Sequence, residues 1–142
     1  MEDLLGLAAK DLSQGYRVIV RARGNSMYPL IHDKTDKIVL APICARLKVG
    51  EIVLAINDGD FILHRIVKIY SDSVLLRGDG NPAGIEHIKI DSILGEAIAI
   101  VRSNNRVIQK GSLLWRGFQY LWPKGGWFRK KSLGILRRLD LM

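Results

Sequence analysis

Val18, Val20 and Ala22 alternate with Arg17, Ile19, Arg21 and Arg23, a period of two that suits a strand with one buried face. The pattern predicts a strand over residues 16–23. Ahead of it, Leu4, Leu5, Leu7, Ala8 and Leu12 recur at roughly helical spacing until Ser13-Gln14-Gly15 ends the run, so residues 3–13 are expected to form a short leading helix. Further β-type runs lie at Lys37–Leu40, Glu51–Ile56, Asp60–Tyr70, Ser73–Arg77 and Ile93–Arg102. Turn-like segments such as Asn57-Asp58-Gly59-Asp60 and Gly78-Asp79-Gly80-Asn81-Pro82 separate them. Short strands at this spacing, with almost no helical periodicity before residue 110, predict a mainly β chain folded as a compact antiparallel domain.

The pattern changes after residue 103. Leu113, Leu114, Trp115, Phe118, Leu121 and Trp122 predict an amphipathic helix over 112–122, broken by Pro123 and Gly125-Gly126. A second short helix is expected from Ser132, as N-cap, through Leu133, Leu136 and Leu139. Charge follows the same division: of the net +8, residues 102–142 carry ten Lys or Arg against the single acid Asp140, a local +9, which leaves residues 1–101 at −1. All three tryptophans fall in that cationic stretch. Residues 1–103 are therefore expected to form the β domain and residues 104–142 a basic, largely helical tail. Such a tail suits an anionic membrane surface, where each basic residue contributes about 1 kcal/mol and indole rings settle at the headgroups. Equal weight goes to the reading in which Leu113, Leu114, Phe118 and Leu121 cap the β domain; nucleic acid is a third and disfavoured partner.

Composition narrows the chemistry. With 142 residues, 48% of them hydrophobic, the chain is the size of one domain. Cys44 is the single cysteine, so no internal disulfide forms and no thiolate cluster offers a metal site; no cofactor is expected. The opening Met1–Asp11 starts with acids and is unlike a basic secretory leader. No charge-free apolar run approaches the ~20 residues that cross a bilayer. The expected location is cytoplasmic, or peripheral at a membrane.

Two residues then stand out. Ser26 lies in Gly24-Asn25-Ser26-Met27-Tyr28-Pro29 and His64 in Leu63-His64-Arg65. A serine hydroxyl is a poor nucleophile without a base in hydrogen-bond reach, and an imidazole titrates close enough to neutrality to serve. Gly24 and Asn25 tolerate left-handed backbone, so the turn can expose the serine oxygen and aim N–H groups at one point. Taken alone, such a turn is far more often structural. His64 shares a strand face with Ile62 and Ile66 and so faces the core or a cleft at its edge; a lone histidine there is more often a core residue than a catalyst.

Order changes that weighing. Gly24-Asn25-Ser26-Met27-Tyr28-Pro29-Leu30-Ile31, followed by Asp36-Lys37-Ile38-Val39, resembles the nucleophile box of the signal-peptidase and LexA-type superfamily of serine proteases. Val49-Gly50-Glu51-Ile52-Val53 is similar to its Gly-Asp-Ile-Val strand, with Glu51 for the usual Asp. Leu63-His64-Arg65-Ile66-Val67 is similar to the base-bearing strand, Gly78-Asp79-Gly80-Asn81 to the Gly-Asp-Asn box, and Gly95-Glu96-Ala97 to the closing strand. The resemblance covers roughly residues 16–101. It implies a LexA/signal-peptidase-like β fold, and His64 in place of the commoner lysine implies the histidine type found in the endoplasmic reticulum and archaea.

By that resemblance Ser26 is the nucleophile and His64 the base. Asp79 or Glu86 would orient the imidazole, and Gly24, Asn25, Met27 and Tyr28 would bind the oxyanion or the substrate. The substrate implied is an extended segment of a precursor protein, added to the edge of the strand before Ser26, with small residues flanking the scissile bond. Gly24 departs from the family, standing where many signal peptidases have a hydroxyl residue. The alternative is a non-catalytic basic module on the same fold that binds peptide, membrane or nucleic acid. A LexA-type regulator would need a DNA-binding helical domain ahead of the protease fold, and only about two dozen residues precede Ser26.

Overall fold

The apolar runs assemble into one antiparallel sheet. A computed structural model of the chain describes residues 2–24, 27–28, 30–80 and 84–117. Helix α1 (Glu2–Ser13) is followed by β1 (Val18–Arg21), β2 (Lys37–Ala41), β3 (Ile52–Asn57), β4 (Asp60–Ile69), β5 (Ser73–Arg77), β6 (Glu86–Lys89), β7 (Ile93–Val101), β8 (Val107–Gln109) and a short α2 (Leu113–Arg116). Strand order is β1-β2-β7-β3-β4-β5-β6, with β8 added to β7. Long β7 inserts between β2 and β3, so the closing strand holds the two halves of the sheet together.

β3 is the central strand, and its sequence explains why. Ile52 and Leu54 enter one apolar cluster with Leu12, Leu40, Ile100 and Trp115. Val53 and Ala55 enter a second with Ile66, Val74, Leu76 and Ile88. Successive side chains leave a strand on opposite faces, so a strand covered on both sides must read as a continuous apolar run, as Ile52–Ile56 does. β1, covered on one face only, keeps the alternation.

α1 docks where β7 has no side chain. A Cβ on Gly95 would lie 2.9 Å from the Ala41 carbonyl oxygen and 3.0 Å from Leu12 Cδ1, so glycine is what lets Leu12 reach the sheet and be buried there.

Two strands were not legible in the apolar pattern. β6 has one buried apolar residue, Ile88, and β8 is three residues long. Both form as additions to existing ladders, on β5 and β7 respectively. β8 and α2 carry the packed body past residue 103. Trp115 is fully buried in the first cluster, and Ser112 caps its turn by accepting from the Trp115 N–H. Leu113, at 89% exposed, and Leu114, at 50%, point outward, so Trp115 performs the capping expected of the leucines. Phe118, Leu121, Trp122 and the helix expected from Ser132 lie outside the described residues. Among the described residues no helix is long and apolar enough to cross a membrane.

Lys110 fastens β8 from the side. Its Nζ donates to Glu96 Oε2 at 2.7 Å and to Glu51 Oε1 at 3.4 Å, satisfying two carboxylates that are otherwise buried. Burial works against the lysine charge, but the hydrogen bond to Glu96 and the charges of Glu51 and Glu96 outweigh it and raise the pKa above the ordinary 10.5.

Trp115→Ala is expected to cost about 3–5 kcal/mol and Leu113→Ala within about 0.5 kcal/mol, both read by urea unfolding. Lys110→Met should lose about 1–2 kcal/mol near neutral pH, where the two carboxylates lose their partner. A pKa raised on folding gives stability that is complete below the unfolded value of 10.5 and disappears as pH rises through the higher folded value. The gap between wild type and variant should therefore close only in strong alkali; a gap that closes already near neutrality would contradict the assignment.

Candidate active site

β4 turns neighbouring residues to opposite faces, and this sorts the polar chemistry. Residues Asp60–Arg65 pair with β3, whereas pairing with β5 starts at Arg65 opposite Arg77. His64 thus closes a stretch whose second edge is open among the described residues. The residue is 7% exposed and lines a cleft of about 610 Å³. β1 and the chain running from it to Gly24 form the facing wall, α1 contributes Leu7, Ala8 and Asp11, and Met27 and Leu54 are among the apolar residues lining it. Three strands separate β1 from β4 in the sheet order, so the sheet curls into a half-barrel to bring both to one cleft.

Glu86 meets His64 from two strands away. Leu76 pairs with Ile66 of β4 on one side and with Glu86 of β6 on the other, and the Glu86 side chain reaches back across β5. His64 Nδ1 and Glu86 Oε2 are 3.0 Å apart. An ionised carboxylate only accepts, so Nδ1 carries the proton, and in the neutral imidazole the lone pair is on Nε2.

Arg65 takes the other carboxylate. Its Nε and Nη2 donate to Asp79 Oδ1 and Oδ2 at 2.8 and 2.6 Å, and Nη1 donates to the Gly50 carbonyl at 2.7 Å. Both partners are buried, and the paired fork geometry makes this a strong, directional contact. Of the two carboxylates that the sequence offered as orienters, Glu86 therefore lies on His64 and Asp79 on Arg65, where it pins the loop after β5 to β4.

Gly24 and Met27, which flank the expected nucleophile in the sequence, both line the cleft with His64. Asn25 and Ser26 lie outside the described residues. Gly24 adopts φ +75°, the left-handed backbone its sequence position suggested. Its N–H donates to Asp33 Oδ1 at 2.7 Å, so that donor is spent and Gly24 offers the cleft no free N–H. Met27 is buried against the cleft. Tyr28 is buried instead with its ring stacked on His32, centroids 5.5 Å apart, and is not among the lining residues. Buried Asp36 accepts from the His32 N–H at 2.7 Å and from Arg102 Nη1. Asp36 belongs to the segment quoted for the family resemblance, but the roles of Asp33 on Gly24 and of Arg102 on Asp36 were not recognised in the sequence; an Arg 66 positions from its partner carries no local signature.

The curled antiparallel sheet thus carries a cleft with His64 in its wall, and the imidazole is paired with Glu86 behind it. The family model described as Peptidase S24-like matches residues 3–102, and the chain belongs to that family. No curated protein matches the chain closely.

Asp79→Ala should cost about 3–5 kcal/mol by leaving a buried guanidinium without its partner. The double change Arg65→Met with Asp79→Leu should cost less than Asp79→Ala alone, measured by chemical denaturation. A single-variant loss below about 1 kcal/mol would show that water already reaches the pair.

Proposed function

We propose that this chain is a serine endopeptidase of the histidine type that cleaves an extended segment of a precursor protein. The observation that carries the reading is His64, set in the cleft wall of a Peptidase S24-like fold with Nδ1 held by Glu86 and Nε2 left to act as base. Ser26 is covalently next to Met27, a cleft residue. In this mechanism a peptide strand lies along β1, and Ser26 Oγ attacks the scissile carbonyl carbon while His64 Nε2 takes the hydroxyl proton. The C–N bond then breaks, the imidazolium returns the proton to the leaving amine, and an acyl-enzyme remains. Water, deprotonated by His64, hydrolyses the ester and restores Ser26. Glu86 fixes the tautomer and stabilises the imidazolium, and the oxyanion is met by the Ser26 N–H and a second N–H from the neighbouring turn. Asp79, held by Arg65, acts on architecture.

Incubation with a peptide library, read by mass spectrometry, tests the reading. Ser26→Ala and His64→Ala should each lower kcat by about 10³-fold or more, with no further loss when combined, and Glu86→Gln should cost on the order of 10²–10⁴-fold. Cleavage that survives both single substitutions sinks the mechanism.

A further inference from the structure

β1 ends the sheet on one side, and its backbone parity says which residues face the open edge. Ala22 donates its N–H to the Asp36 carbonyl and accepts from the Lys34 N–H. Hydrogen-bonding direction alternates along a strand, so Val18 and Val20 also turn inward to β2 while Ile19 and Arg21 turn N–H and C=O to the edge. The side chains alternate in step: Val18, Val20 and Ala22 lean on the core, whereas Arg17, Ile19, Arg21 and Arg23 are exposed. Ile19 is 64% exposed. Among the described residues none of the three arginines has an ion-pair partner. Arg21 and Arg23 line the cleft itself, against one acid, Asp11, on the α1 wall.

We infer that this edge selects extended peptides that alternate small or apolar residues with acidic ones. The inference rests on the peptidase reading and names its substrate class. A peptide pairing with β1 places each residue on the same face as the β1 residue opposite it. Residues opposite Val20 and Ala22 turn into the cleft, and residues opposite Ile19, Arg21 and Arg23 emerge beside the arginines. Acidic side chains there meet unpaired guanidinium groups; basic ones meet like charge. A purely protective role is the rival, since exposed positive charge also stops edge strands from pairing with one another.

The test uses the full chain and one cleaved peptide remade in three versions, with Asp, Ser or Lys at the outward positions. Values of kcat/KM should rank Asp above Ser above Lys, with about three- to tenfold between the first and last. The ranking should reverse in Arg21→Glu with Arg23→Glu and flatten at high salt. The same peptides, labelled, are bound to Ser26→Ala by fluorescence polarisation, and the affinities should follow the same order. Equal kcat/KM and equal affinity across the three, or a ranking that the charge reversal leaves untouched, overturns the selectivity while leaving Ser26-dependent cleavage intact. Charge-ranked, Arg21-dependent binding without any cleavage instead upholds the edge and removes the peptidase reading. Self-association of the charge-reversed variant with no change in peptide ranking assigns the arginines to protection alone and overturns the inference.

Discussion

The arrangement depends on a constraint no side chain can escape: consecutive residues of a strand point to opposite faces. His64 and Arg65 are consecutive on β4, so their side chains leave the strand on opposite faces; His64 lines the cleft and Arg65 does not. Each then takes a carboxylate from the same short stretch of chain, Glu86 at His64 Nδ1 and Asp79 in the fork of Arg65. The Arg65 contact is buried and doubly bonded, and it fixes where the chain leaves β5. Glu86, seven residues after Asp79, is the first residue of β6. A structural ion pair and the partner of the imidazole thus come from the same connection between β5 and β6.

The cleft follows from a second constraint, the curl of the sheet. An open flat sheet would keep β1 and β4 three strands apart. Here β7 threads between β2 and β3, both faces of β3 are covered, and the two apolar clusters close around it. Among the described residues, two stretches of backbone are left with an open edge, β1 and the first half of β4, on the walls of the same cleft. An extended peptide is the ligand whose hydrogen-bonding needs match such edges.

Much of this was legible in order and period. Alternation along Val18–Arg23 marked β1, the continuous run at Ile52–Ile56 marked a strand, and the ordered boxes pointed to the family that residues 3–102 match. What stayed hidden was set by contacts distant in sequence. Choosing between Asp79 and Glu86 required knowing that β6 pairs back onto β5, and β6 has a single buried apolar residue to announce it. Tyr28 read as a groove residue from its place next to the expected nucleophile in the family's box, whereas its ring is buried and stacked on His32. The leucines of α2 read as the cap because they outnumber Trp115, whereas one indole fills the space and turns them outward.

One wall of the cleft is made differently from the others. α1 is 12 residues long, a length at which an isolated helix is marginal in water, and it is seated through Leu12 in the notch at Gly95. The sheet closes its own ladders without this helix. One side of the cleft is therefore held by side-chain packing and not by ladder hydrogen bonds, so the room available to a bulky guest is coupled to how firmly Ala8 and Leu12 are seated.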